Sequence, residues 1–168
     1  MLLLRHGQSY FNLHFNATRV DPGIEDPELT PLGFEQAAAA AARLSARVLT
    51  HVIISPYTRA LQTAQPVLAV HQVPVAIMQE VREQAAYACD IGSPPDVLAS
   101  RFPHHDFRHL PAQFSSVKAT TTEALARRYL DPASMVIIAV GSRATLEAAL
   151  SKLGVGPIEV WPIAGTLF

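Results

Sequence analysis

Arg5, His6 and Gly7 stand directly behind a run of leucines, with Asn12 a short way on, and their types suit a reaction at an anionic centre. An imidazole is a nucleophile when one ring nitrogen keeps its lone pair, the other is held by a hydrogen bond, and the ring stays uncharged. Arginines serve both needs: a neighbouring cation disfavours protonation of His6, and a guanidinium fork grips phosphate oxygens. Arg5 is adjacent, and Arg59 comes from a second loop, Ser55-Pro56-Tyr57-Thr58-Arg59, which also follows an apolar run. Gly7 removes a side chain that would block close approach of the backbone. Asn12, six residues past His6, can return into the same loop as an uncharged donor.

Such residues must be brought together by the elements around them. Met1 to Leu4, His51 to Ile54 and Met135 to Val140 are short apolar runs without alternation, the pattern of strands buried on both faces. Helical patterns lie between. Thr30-Pro31 supplies a cap and a first-turn proline to the alanine-rich PLGFEQAAAAAARLSARV, and Ser55-Pro56 does the same for SPYTRALQTAQPVLAV. Thr120 to Leu130 and Arg143 to Leu153 are two further helical stretches. The alternation predicts an α/β fold with a mostly parallel sheet and helices on both faces, in which ligands gather outside the carboxyl ends of the strands. Arg5-His6-Gly7, Ser55 to Arg59 and Gly141-Ser142-Arg143 would then converge on one edge. Val81 to Phe114, rich in proline and histidine, reads as an excursion of loops and short helix above the sheet, the usual form of a lid or substrate wall.

A chain of 168 residues is expected to be one domain, residues 1–168. With 16% charged residues and a net charge of −1 it has no basic field for nucleic acid, so any anion must be drawn by a few local arginines and amides. Cys89 is the single cysteine, which excludes an intramolecular disulfide. The leucine run is broken by Arg5 too early for a signal-peptide core or a membrane span, so the chain reads as soluble and cytoplasmic. His104, His105 and His109 have only Asp106 beside them, and no metal site is expected from so incomplete a ligand set. Tyr10, Phe11 and Phe15 are expected to pack beneath the first loop.

LLLRHGQSYFN, ISPYTRALQTA and VREQAAYACDIGSPPDVLASRFPHHDF together resemble the histidine phosphatase superfamily, the phosphoglycerate-mutase-like proteins, over almost the whole chain. The resemblance implies a three-layer α/β/α sandwich with a mostly parallel central sheet. It also implies cofactor-free phosphoryl transfer from a small phosphorylated substrate through a phosphohistidine on His6. Carried over residue by residue, Arg5, Asn12 and Arg59 would hold the phosphate, Gln8 and Ser9 would line its loop, and Glu83 would be the general acid that protonates the leaving oxygen and later activates water. Glu80 is the competing carboxylate, but the V-R-E spacing favours Glu83. The chain is short for the mutase branch.

The family carries a second histidine at the end of the strand written here MVIIAV, where this chain has VGSRATLE. Aligning on the helix start ATLEAAL puts Ser142 at that place, and aligning on Gly141 puts Val140 there. Ser142 is preferred, because a hydroxyl at a helix N-terminus can cap and donate. Gln84 stands where relatives with the C-D-I-G-x-P-P signature carry histidine. Two functions follow from the pattern: a phosphatase of reduced rate, or an inactive relative that binds a phosphorylated ligand or a protein partner.

Overall fold

The three apolar runs hold β1 (Leu2–Leu4), β2 (His51–Ile54) and β4 (Ile137–Val140), and two further strands are β3 (Val75–Ile77) and β5 (Glu159–Trp161). They come from a computed structural model that describes residues 2–82, 86–112, 137–140 and 159–161. The five strands make one sheet in the order β3-β2-β4-β1-β5, and every pairing is parallel. Leu2, Leu4, Val52 and Ile54 join the main core cluster, while Leu3 and Ile53, which face the other way, are buried too. Burial on both faces is why these segments show no polar alternation. Glu83, Gln84 and Ser142, and the expected helices at 120–130 and 143–153, lie outside the described residues.

Helices α1 (Tyr10–Thr18), α2 (Pro31–Leu44), α3 (Thr58–Val70) and α4 (Pro95–Arg101) lie between the first four strands. The Thr30 hydroxyl accepts from the Gly33 amide, and Pro31 occupies the first turn of α2. Ala37, Ala40, Ala41 and Leu44 on α2 and Ala60, Leu61, Ala64 and Val67 on α3 are the buried faces of two helices that pack on each other. The small side chains permit that close packing. α3 begins at Thr58 rather than at Ser55-Pro56, and the buried Ser55 hydroxyl has no hydrogen bond among the described residues. The acceptor at this helix start comes from elsewhere in the chain, as described below.

The excursion after β3 is tied down. Leu98, Phe102, Phe107 and Leu110 all belong to the main core cluster. The His109 ring donates from Nε2 to the outward carbonyl of Ile77 on the edge strand β3, at 2.7 Å, which blunts an otherwise open edge. Asp106, the carboxylate beside the three histidines, is paired twice with Arg108.

Candidate active site

β1 delivers the chain to the carboxyl edge of the sheet at Leu4, and the loop that follows is fixed by its backbone. A Cβ on Gly7 would stand 2.4 Å from the Gly33 carbonyl oxygen, and one on Gly33 would stand 2.1 Å from the Gln8 carbonyl oxygen. Two glycines are therefore interlocked, and the close approach that Gly7 permits is to the first turn of α2. The Gly7 amide donates to Thr63 Oγ1 at 3.0 Å and the Gln8 amide to Gln36 Oε1 at 2.8 Å. Residues 8–10 also pair with 28–30 through Thr30 N to Gln8 O, Tyr10 N to Glu28 O and the antiparallel bridge Ser9 to Leu29. Ser9 caps α1: its hydroxyl accepts from the Asn12 amide and donates to Asn12 Oδ1, which also accepts from the Ser9 amide.

His6, 9% exposed, sits in the middle of this loop. Its Nδ1 lies 2.7 Å from the Gly7 carbonyl, which can only accept, so Nδ1 carries the proton. Arg59 Nε donates to His6 Nε2 at 3.3 Å, which requires a lone pair there. Both contacts select the same tautomer. Burial lowers the affinity of the ring for a second proton, Arg59 and to a smaller extent Arg5 lower it further, and the Gly7 carbonyl and Asp90 oppose them, leaving a pKa of about 3. At neutral pH His6 is an uncharged imidazole with its in-plane lone pair on Nε2.

Arg59 is 2% exposed and held on several sides. Its NH1 donates to the Cys89 carbonyl at 2.7 Å, its NH2 to Asp90 Oδ1 at 3.2 Å, and its guanidinium carbon lies 4.3 Å from the centre of the Tyr57 ring. The Tyr57 hydroxyl donates in turn to the Asp90 carbonyl. One turn after Arg59, Thr63 links its carbonyl to the amide of Gly7. The start of α3 is capped by Asp26, whose Oδ1 accepts from the Thr58 amide and whose Oδ2 accepts from the Thr58 hydroxyl and the Ser93 amide. Asp26 has φ +36°, in the left-handed region that aspartate tolerates better than most residues. A carboxylate 32 residues upstream in sequence thus takes the role that the sequence suggested for Ser55.

Of the residues singled out by the sequence, the structure brings His6 and Arg59 into direct contact, with Arg5 beside them on the solvent side. Asn12 is half-buried at the start of α1, with its side-chain oxygen turned to Ser9. The side-chain oxygen of Gln8 accepts from Thr30, and the Ser9 hydroxyl is used within the cap, so both brace the loop. Glu80 lies in a short 3-10 turn after β3 (Gln79–Val81). Phe11 is buried and stacks on Phe15 at 5.4 Å, with Tyr87 completing the cluster, whereas Tyr10 is exposed and does not pack under the loop. Asp26, Asp90 and Gly33 hold the surroundings of His6 and Arg59 and were not marked by the sequence. A cavity of about 1140 Å³ between α3, β3 and the excursion is lined by Leu68, Ile77, Met78 and Phe102, and none of His6, Arg5, Asn12 or Arg59 lines it.

A buried neutral histidine just past the end of β1, in contact with an arginine from the first turn of α3, defines the class of site. The chain belongs to the histidine phosphatase superfamily (branch 1), whose model matches residues 1–158. Among solved structures it is similar to a mycobacterial protein described as hydrolase 1, at 24% identity over 91% of this chain and 81% of that one, with a TM-score of 0.58. A mycobacterial glucosyl-3-phosphoglycerate phosphatase bound to VO3 matches at 24% identity over 91% and 80% of the two chains, with a TM-score of 0.57. A phosphoserine phosphatase from Entamoeba histolytica in complex with 3-phosphoglyceric acid matches at 22% over 92% and 82%, with a TM-score of 0.54. These likenesses establish a shared fold. No curated protein matches the sequence. Among the described residues no helix is long and apolar enough to cross a membrane.

Proposed function

We propose that this chain hydrolyses a small phosphomonoester through a phosphohistidine on His6. The observation that carries the reading is the doubly enforced tautomer of His6, with Nδ1–H on the Gly7 carbonyl and the lone pair of Nε2 facing Arg59. In the first step Nε2 bonds to phosphorus as the ester P–O bond breaks, and Glu83 gives its proton to the leaving oxygen. In the second, Glu83 takes a proton from water as that water attacks the phosphohistidine and releases inorganic phosphate. Arg59, Arg5 and Asn12 grip the phosphoryl oxygens. The test is phosphate release from a panel of phosphomonoesters together with trapping of acid-labile, base-stable phosphate on the protein. Both signals should vanish in His6→Ala, and turnover without a trapped phosphohistidine would overturn the mechanism.

A second reading, a binding protein without turnover, is favoured by the segment after β4. Val140 is registered beside both Leu4 and Ile54, so β4 ends between the strands that lead to His6 and to Arg59 at the start of α3. Ser142 follows Val140 by two residues, as His6 follows Leu4. Loss of one preorganised donor to the transferring group costs on the order of 100- to 1000-fold in rate, and Ser142→His should restore about that much. Phosphate binding without hydrolysis in both proteins would establish the second reading.

A further inference from the structure

Asp90 is buried, charged and unused by the hydrolytic steps above. Its position is set without Arg59: Oδ2 accepts from the amides of Ala86 and Tyr87, its own amide donates to the Tyr87 carbonyl, and its carbonyl accepts from the Tyr57 hydroxyl. Its other oxygen, Oδ1, takes NH2 of Arg59 at 3.2 Å. The side fork of a guanidinium, Nε–H with one NH2 proton, is the edge that grips two oxygens of a carboxylate or phosphate. In this structure that fork is divided, with Nε on the nucleophilic nitrogen of His6 and NH2 on Asp90. The lone pair that must attack phosphorus is thereby covered.

We infer that Asp90 is a positioning residue that stands in for a substrate oxyanion: it holds Arg59 over His6 Nε2 until phosphoryl oxygens take the Arg59 fork and uncover the nucleophile. The inference rests on the phosphate-transfer reading of the same site. Its chemistry is an exchange of anions on one cation. A phosphate oxygen replaces Asp90 Oδ1 on NH2, a second replaces His6 Nε2 on Nε, and the bond order of nothing changes until Nε2 attacks. The carboxylate stays on its backbone donors in the excursion, and Arg59 NH1 stays on the Cys89 carbonyl, so the 86–90 turn keeps its place while the fork changes partners. Asp90 therefore opposes anion binding, whereas a residue that only braced Arg59 would favour it.

The sign of that effect is the test. In Asp90→Asn the side-chain oxygen can keep the Ala86 and Tyr87 amides while its NH2 group faces Arg59 and cannot hold it. Affinity for vanadate and for inorganic phosphate, measured by calorimetry, should rise about tenfold, the scale on which one nearby like charge acts. Under the same change the KM of any hydrolysed ester should fall more than kcat. Unchanged or weaker anion binding by a folded variant, with vanadate still bound by the native protein, would overturn the inference and leave the hydrolase reading intact. If neither protein binds vanadate or phosphate, both readings fall. Should the variant not fold, the native protein decides: on titration with vanadate the 15N signals of Arg59 Nε and His6 Nε2 should both shift. Vanadate binding that leaves them unmoved would refute the exchange.

Discussion

Gly33→Ala sets a helix-propensity rule against a steric one, and the structure says which wins. Gly33 sits in the first turn of α2, where alanine would ordinarily add up to ~1 kcal/mol of stability. Its Cβ would fall 2.1 Å from the Gln8 carbonyl oxygen, and a tight but attainable contact needs at least 3.0 Å, so one of the two backbones must retreat by about 1 Å. Both are held. Gln8 is tied through its amide to Gln36 and through its carbonyl to the Thr30 amide, and the Gly33 amide is fixed on Thr30. Overpacking of this kind costs about 1–3 kcal/mol, so after the propensity gain a net loss of about 1 kcal/mol should lower Tm by roughly 2–4 °C for a chain of this size. His6 is two residues from Gln8, and a displacement of about 1 Å at a reacting group costs on the order of 100-fold in kcat. Differential scanning calorimetry reads the first effect and phosphate release the second. A Gly33→Ala protein with a raised Tm and full activity would refute the interlocked-glycine account of the loop.

Asp26→Ala removes the acceptor of the Thr58 amide, the Thr58 hydroxyl and the Ser93 amide. With buried donors left unsatisfied, it should cost about 2–4 kcal/mol, read as a fall in the urea midpoint, and an unchanged midpoint would sink the capping role. His6 should keep a flat NMR C2–H shift from about pH 4.5 to 8, because its native pKa of about 3 lies far below its ordinary 6.5. Above pH 6.5 the ring binds no proton in either state and contributes nothing. As pH falls below 6.5 the unfolded chain takes a proton that the native ring refuses, so stability declines by up to ~1.4 kcal/mol per pH unit until about pH 3. His6→Gln should flatten that slope, and a His6 midpoint near 6.5 would contradict the buried, cation-flanked site.

What the sequence made legible was local. β1 and β2 are readable because residues buried on both faces must all be apolar, and Arg5-His6-Gly7 is readable because it follows such a strand. S-P-x-x-R-A-x-x-T-A carried more than was taken from it: its threonine is Thr63, which joins the Arg59 carbonyl to the Gly7 amide. The misplaced start of α3 shows the opposite case. Ser55-Pro56 has the composition of a cap, but Asp26 offers the Thr58 amide a charged acceptor from across the fold, and a charged acceptor at a helix N-terminus is favoured over a neutral one. No spacing in D-P-E-L or C-D-I-G announces that Asp26 will meet Thr58 or that Asp90 will meet Arg59, since those contacts exist only after the chain has closed on itself. Gly33 was hidden for the same reason, reading as a tolerated helix glycine until Gln8 lies against it.

The placement of charge in the site follows from two demands that conflict. In the proposed phosphoryl transfer His6 must be neutral to attack and Arg59 must be charged to grip an anion, yet both are buried and lie 3.3 Å apart. Burial serves the first and opposes the second. A carboxylate compensates a buried guanidinium, but in contact with the imidazole it would raise the pKa of His6 and take away its nucleophile. Arg59 touches both groups, so the compensating Asp90 acts on the arginine at contact while the arginine acts on the histidine at contact. The result is visible in His6, where the lowering by Arg59 outweighs the raising by Asp90. Exchanging the arginine and the carboxylate would yield an imidazolium, which cannot bond to phosphorus, so the order histidine, arginine, carboxylate is what allows an uncharged nucleophile and a buried cation to share one small site.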